Sequence, residues 1–204
     1  TIAFWYFNKV GVDIAIMETG LGGRLDSVSI CHPILTIITP ISYDHMHILG
    51  EKLVDIAFEK SGSMKKDVLC ISANQNDDVK SILLVESKKK GAPLQFVDEK
   101  KIIPCNINIS GIVQKMNAQL AICALEYLQD YYIPQSAIEK GLDTVQWFGR
   151  NQLIQTNPLV IFDVAHNDQS LKYFINHYKS LSILGSSILV IAIEKYKRIQ
   201  SIIP

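Results

Sequence analysis

Nine consecutive residues, Glu18-Thr19-Gly20-Leu21-Gly22-Gly23-Arg24-Leu25-Asp26, constrain this chain more than any other stretch. The apolar run 12–17, broken only by Asp13, is short enough to be a buried strand, and it stops at a carboxylate followed by glycines. In open α/β sheets ligands collect beyond the carboxyl ends of the strands, where connecting loops can carry the polar groups that a buried strand cannot. Glu18 takes that position. A second apolar run, 34–39, ends in Pro40-Ile41-Ser42-Tyr43-Asp44-His45, so another acid and an imidazole follow a second candidate strand.

After Leu49-Gly50, the residues Leu53, Ile56, Ala57 and Lys60 recur at helical spacing within a helix expected over 51–61, which puts Lys60 on its buried face. A lysine among apolar neighbours is costly to bury charged, so it must be paired, deprotonated or modified. The order continues as βαβ: a strand at 68–72, a turn at 74–78, and a helix at 79–90 with Ile82, Leu83 and Val85 facing inward. Lys88-Lys89-Lys90 suits the negative end of that helix's macrodipole, and Gly91 stops it.

From 93 to 112 polar and apolar residues interleave, as in Cys105-Asn106-Ile107-Asn108-Ile109-Ser110, which suggests one or two exposed strands. The clearest helix covers 114–130, with Asn117, Ala121, Ala124 and Leu128 on one stripe, and a short helix follows at 134–142. Trp147-Phe148-Gly149-Arg150 reads as a turn into a second unit, giving expected domains of 1–149 and 150–204. There a strand at 158–162 leads to Asp163-Val164-Ala165-His166-Asn167, then a helix at 169–180 and a strand at 188–193, which suggests another parallel α/β layer.

With 20 basic and 20 acidic residues in 204, the formal net charge is zero, which argues against a broad nucleic-acid-binding surface. No apolar run approaches the roughly 18 residues of a membrane span. The four cysteines are scattered without CxxC spacing and read as reduced thiols rather than a disulfide frame. The chain opens with 1–9 as a helix entered mid-course and closes soon after a strand, so it is expected to be part of a longer protein. His45 and His47 share a face if extended, but a zinc site lacks a third ligand and HExxH is absent; GxSxG, the mark of a nucleophilic hydrolase, is absent too. Glu18, Asp44, His45, Lys60 and His166 together fit a site for a divalent cation and an anionic substrate.

In combination, Glu18-Thr19-Gly20-Leu21-Gly22-Gly23-Arg24-Leu25-Asp26, Asp44-His45, Leu49-Gly50, Glu59-Lys60-Ser61-Gly62, Gln114 with Asn117-Ala118, Gly149-Arg150 and Asp163-Val164-Ala165-His166-Asn167 resemble the folylpolyglutamate synthase and dihydrofolate synthase branch of the Mur ligase superfamily. The resemblance covers nearly the whole chain. It implies a partial P-loop-type ATPase domain with a parallel sheet, followed by the start of a Rossmann-like α/β domain. It also implies an ATP-dependent ligase that joins L-glutamate to a folate or dihydropteroate carboxylate through an acyl phosphate. By this resemblance Glu18 and His45 would ligate Mg2+, Lys60 would be carbamylated and join the catalytic site with His166, and Asn117, Arg150 and Asp163 would bind ATP. The family's Gly-rich P-loop is not in this sequence, so the 204 residues alone are not expected to catalyse ligation. Ser27-Val28-Ser29, Ser61-Gly62-Ser63 and Val164 depart from the family's pattern. A Mur-type ligase for another acid, a non-catalytic remnant and a metal-dependent hydrolase are the alternative readings. A monomer in the cytoplasm, without nucleic-acid or membrane partners, completes the expectation.

Overall fold

The computed structural model describes residues 2–98, 103, 105–181, 183 and 185–193. Helix α1 (Ile2–Val10) leads into the glycine block, and a three-stranded sheet follows, made of β1 (Thr36–Ile38), β2 (Cys70–Ser72) and β3 (Leu94–Phe96). All pairings are parallel in the order β1-β2-β3, with Ile37 opposite Ile71 and Ile71 opposite Gln95. Helices α2 (Met46–Leu49) and α3 (Leu53–Ser61) connect β1 to β2, and α4 (Asp77–Lys90) connects β2 to β3. These are the βαβ crossovers that parallel pairing demands.

Strand alternation divides the core into two. On one face Ile38, Cys70, Ile56, Ala57, Val79 and Leu83 pack together between the sheet and helices α3 and α4. On the other, Ile71, Ala73 and Val97 meet Leu120, Cys123 and Ala124 of α5 (Ile112–Tyr127). Ile56, Ile71 and Leu83 are fully buried, each worth about 1.5–3 kcal/mol of transfer free energy. The arrangement is the expected α/β class, a parallel sheet covered on both faces.

Helix α4 begins two residues before the expected start, because the Asn76 side chain caps it by accepting from the Val79 N–H at 2.9 Å. At its other end Gly91 sits at φ +65°, the left-handed position expected of a stop. Its inward face is Val79 and Leu83, with Ile82 partly buried; Val85, expected inside, is 47% exposed. In α5 the buried residues are Ala118, Leu120, Ile122, Cys123 and Ala124; of the predicted stripe Ala124 is buried, Asn117 and Leu128 are partly buried and Ala121 is exposed.

Helix α6 (Gln135–Thr144) precedes the second unit. There β4 (Gln152–Thr156) and β5 (Leu159–Phe162) form an antiparallel hairpin, followed by α7 (Asp168–Ser180). The expected parallel layer is therefore replaced, among the described residues, by a hairpin whose strand β4 was not predicted. Two apolar runs, 12–17 and 188–193, carry no strand, and Ile16 and Ile188 are 95% and 91% exposed. Apolarity marks a segment that can be buried, but a strand also needs a ladder partner, and neither run has one among the described residues. The 105–110 segment is not a strand either, while 99–102 and 104 of the same expectation lie outside the described residues. All four cysteines are free thiols, as expected, and burial pushes Cys70 up to about 11.

Candidate active site

The glycine block forms a turn held by its own aspartate. Asp26 accepts hydrogen bonds from the backbone N–H groups of Leu21 and Val28, each at 2.9 Å, and caps a 3₁₀ turn at Ser27–Ile30. The bond from Leu21, then that from Val28, hold its carboxyl below the ordinary value. This turn lies against the last turn of α3. Arg24 N–H donates to Glu59 O at 2.8 Å, and the guanidinium forks onto the Glu59 carboxylate at 2.9–3.2 Å. A Cβ at Gly23 would stand 2.8 Å from Lys60 O, and one at Gly62 would overlap the Arg24 backbone. The two glycines permit this backbone contact, and the contact fixes the helical turn that carries Lys60.

Between the turn and the β1 loop is a cavity of about 200 Å³, lined by Thr19, Gly22, Ser42, Asp44, His45 and Lys60 among others. The β1 loop is anchored by Gln75, which is 8% exposed. Its Oε1 accepts from Ile41 N–H at 2.9 Å, and its Nε2 donates to Thr39 O at 3.0 Å and Ser72 Oγ at 3.2 Å. Beyond that anchor His45 takes a left-handed conformation at φ +49°, and its N–H donates to Asp44 Oδ1 at 2.8 Å. Burial pushes the Lys60 ammonium below its usual value, and the Asp44 carboxylate opposes the shift. The β1 loop and α3 therefore bring Lys60 and His45 to one cavity. Glu18 is exposed and does not line it; its neighbour Thr19 does.

From the second unit, His166 Nε2 reaches Asp44 Oδ2 at 3.3 Å and Asn167 Nδ2 donates to the same oxygen at 3.0 Å. His166 therefore stands beside the Lys60 cavity. Asp163 accepts from Asn151 N–H at 2.7 Å and Ala165 N–H at 2.8 Å, joining the turn after Gly149 to the turn that carries His166. Gly149, at φ +72°, packs against Val164, where an added Cβ would lie 2.6 Å from Cγ1.

Arg150 lines a separate cavity of about 330 Å³ with Asn108, Ser110, Trp147, Phe148 and Gln152. Trp147 and Phe148 are 66% and 80% exposed. Asn117 lines neither cavity; it lies inside α5, where Gly111 and not Asn117 is the cap, and its Nδ2 faces Gln114 Oε1 at 3.4 Å. Asn167 and Gln75 are the polar groups that sequence reasoning did not single out for the site, whereas Asp44 was counted there with His45. Asn167 was visible as a neighbour of His166; the partners of Gln75 lie more than 30 residues away, apart from Ser72.

Mg2+ prefers an octahedral shell of oxygen atoms. Among the described residues no three His, Cys, Asp or Glu side chains converge as a metal site. The residues present do not form a complete magnesium centre. No helix of the described residues is long and apolar enough to cross a membrane.

No family model matches the chain. It is 33% identical over 196 residues to the dihydrofolate synthase/folylpolyglutamate synthase of Bacillus subtilis, covering 83% of this chain and 46% of that protein. It is 34% identical over 211 residues to the protein of the same description from Buchnera aphidicola of Acyrthosiphon pisum, covering 97% of this chain and 51% of that one. Among solved structures, Escherichia coli FolC in complex with DHPP and ADP superposes with a TM-score of 0.80 at 27% identity, over 90% of this chain and 47% of that one. The chain spans about half the length of the curated relatives it matches.

Proposed function

We propose that the chain is part of a folylpolyglutamate/dihydrofolate synthase and that the full-length protein uses ATP to join L-glutamate to the carboxylate of a folate or dihydropteroate. The observation that carries this reading is the meeting of Lys60, Asp44 and His45 with His166 around one cavity, on the motifs expected of such a ligase. In the reaction the acid's carboxylate oxygen attacks the terminal phosphorus of ATP and ADP departs. The glutamate amine then attacks the acyl carbon, and phosphate leaves. Charge builds on phosphoryl oxygens in the first step, so positioned cations and donors supply most of the catalysis.

In this reading Lys60 and His166 are the catalytic groups. Burial lowers the pKa of the half-buried Lys60 and so favours the neutral amine, the form that carbamylation needs. Arg150, beside the exposed Trp147 and Phe148, offers a cation and aromatic faces to the nucleotide, with Asp163 holding the turn and Asn117 on the adenine side. Glu18 and His45 are this chain's expected contribution to Mg2+. Because their donor set is incomplete here, no step is derived through the metal. We place the domain boundary between 149 and 150, and the protein as a monomer in the cytoplasm.

The test is ADP release by the full-length protein with Mg2+, glutamate and either dihydropteroate or tetrahydrofolate. Release that requires both acid and glutamate, and falls by at least about 100-fold in Lys60→Ala, is the expected result. Absence of ADP with either acid would sink the proposal. Carbon NMR after labelling with 13C-bicarbonate reads the carbamate independently of turnover.

A further inference from the structure

The ligase reading assigns Asp44 no step of its own, yet its carboxylate links the loop after β1 to the residues after Gly149 at the cavity. Its Oδ1 accepts from the His45 N–H at 2.8 Å, which fixes the rotation of the carboxylate. Its Oδ2 is then turned toward residues 122 and 123 positions away, accepting from Asn167 Nδ2 at 3.0 Å with His166 Nε2 at 3.3 Å. The Asp44 side chain is only 19% exposed, so water competes weakly for that oxygen. On the other side of the link, His166 Nδ1 lies 3.0 Å from Val164 O. Asn167 Oδ1 accepts from Ser170 N–H at 2.9 Å, capping α7. One carboxylate oxygen thus holds both the imidazole and the start of the helix behind it.

We propose that Asp44 is a positioning residue that seats His166 over the Lys60 cavity and docks the α7 cap onto the β1 loop. The inference deepens the ligase reading and rests on it for its kinetic consequence. Charge-assisted bonds to a carboxylate are stronger than neutral ones and directional. Without them the imidazole keeps only its bond to its own loop, and the second unit loses its register with the first at the point where the reacting atoms would meet. A displacement near 1 Å in such a place costs roughly 100-fold in rate.

The experiment compares Asp44→Ala, Asp44→Asn, His166→Ala and the Asp44→Ala/His166→Ala pair in the full-length protein. Expected are a fall of about 100-fold in kcat for Asp44→Ala with KM for ATP unchanged, and a further fall of less than about threefold once His166 is already removed. Hydrogen exchange of the 166–170 amides should quicken about tenfold in Asp44→Ala and in Asp44→Asn, the second covering a failure of the first to fold. Multiplicative rate losses in the pair, or unchanged exchange at 166–170 in a folded variant, would overturn the proposal. If the wild-type protein releases no ADP, the ligase reading fails while the exchange measurement still decides what Asp44 holds.

Discussion

At the scale of single residues, Asp26 does most to shape the glycine turn, because it satisfies two backbone donors that the turn would otherwise leave open. Its folded carboxyl lies below the ordinary value of 3.8. A depressed acid contributes stability above its unfolded pKa and loses it as pH falls through the folded one. Asp26→Asn should therefore lower the melting temperature near pH 6, and the gap to wild type should narrow as pH falls below 3.8 and on through the depressed folded value. Melting scans across that range check it; a gap that stays constant contradicts the role given to the charge. Lys60 shows how far sequence reaches at this scale. Helical spacing placed it on a buried face, and burial does depress it. The opposing carboxylate of Asp44 could not be read in the same way, since nothing in the pattern states which loop faces which helix.

At the scale of elements, the turn at Gly23 and the end of α3 approach through backbone, and this contact sets the limits on substitution. Gly62→Ala should destabilise by about 1–3 kcal/mol, because its methyl meets the Arg24 main chain, which cannot rotate away. Gly141→Ala in α6, where nothing lies within 4 Å, should instead stabilise by about 0.5–1 kcal/mol. Urea midpoints of both variants test the pair, and equal effects would refute the contact. Helices α3, α4, α6 and α7 and the strands β1, β2 and β5 were legible because local signals agree there: periodicity, Asn and Gly caps, and short apolar runs. Where the reading failed, the deciding partner was distant. The 12–17 and 188–193 runs have strand composition without a ladder, and Gln152–Thr156 pairs with β5 although polar residues break its pattern. In α5 small residues suggested a stripe of which Ala124 is buried, while Ile71 of β2 and Val97 just after β3 draw in Leu120 and Cys123 as well.

At the scale of the molecule, the residues after Gly149 meet the preceding ones at Gly149 against Val164, at Asn151 on Ser110 O at 2.8 Å, at Asp44 with His166 and Asn167, and where α7 lies near α5. Gly149→Ala should cost about 1–3 kcal/mol through strain at φ +72° and the clash with Val164 Cγ1. Adding Val164→Gly should recover the steric share and leave the conformational one. A double-mutant cycle by denaturant unfolding should give a coupling of at least about 0.5 kcal/mol; strict additivity would mean the two residues do not touch.

The link between Asp44 and His166 also has a history in time. Its ends are separated by 122 residues, which a ribosome adds in roughly 6–25 s. Throughout that interval the floor of the Lys60 cavity, once folded, has no imidazole above it and stands open to small solutes such as dissolved carbon dioxide. Of Asp44, His45, Lys60 and His166 around that cavity, His166 is the last to be synthesised, so the site is completed only after Lys60 has been in place for most of that interval.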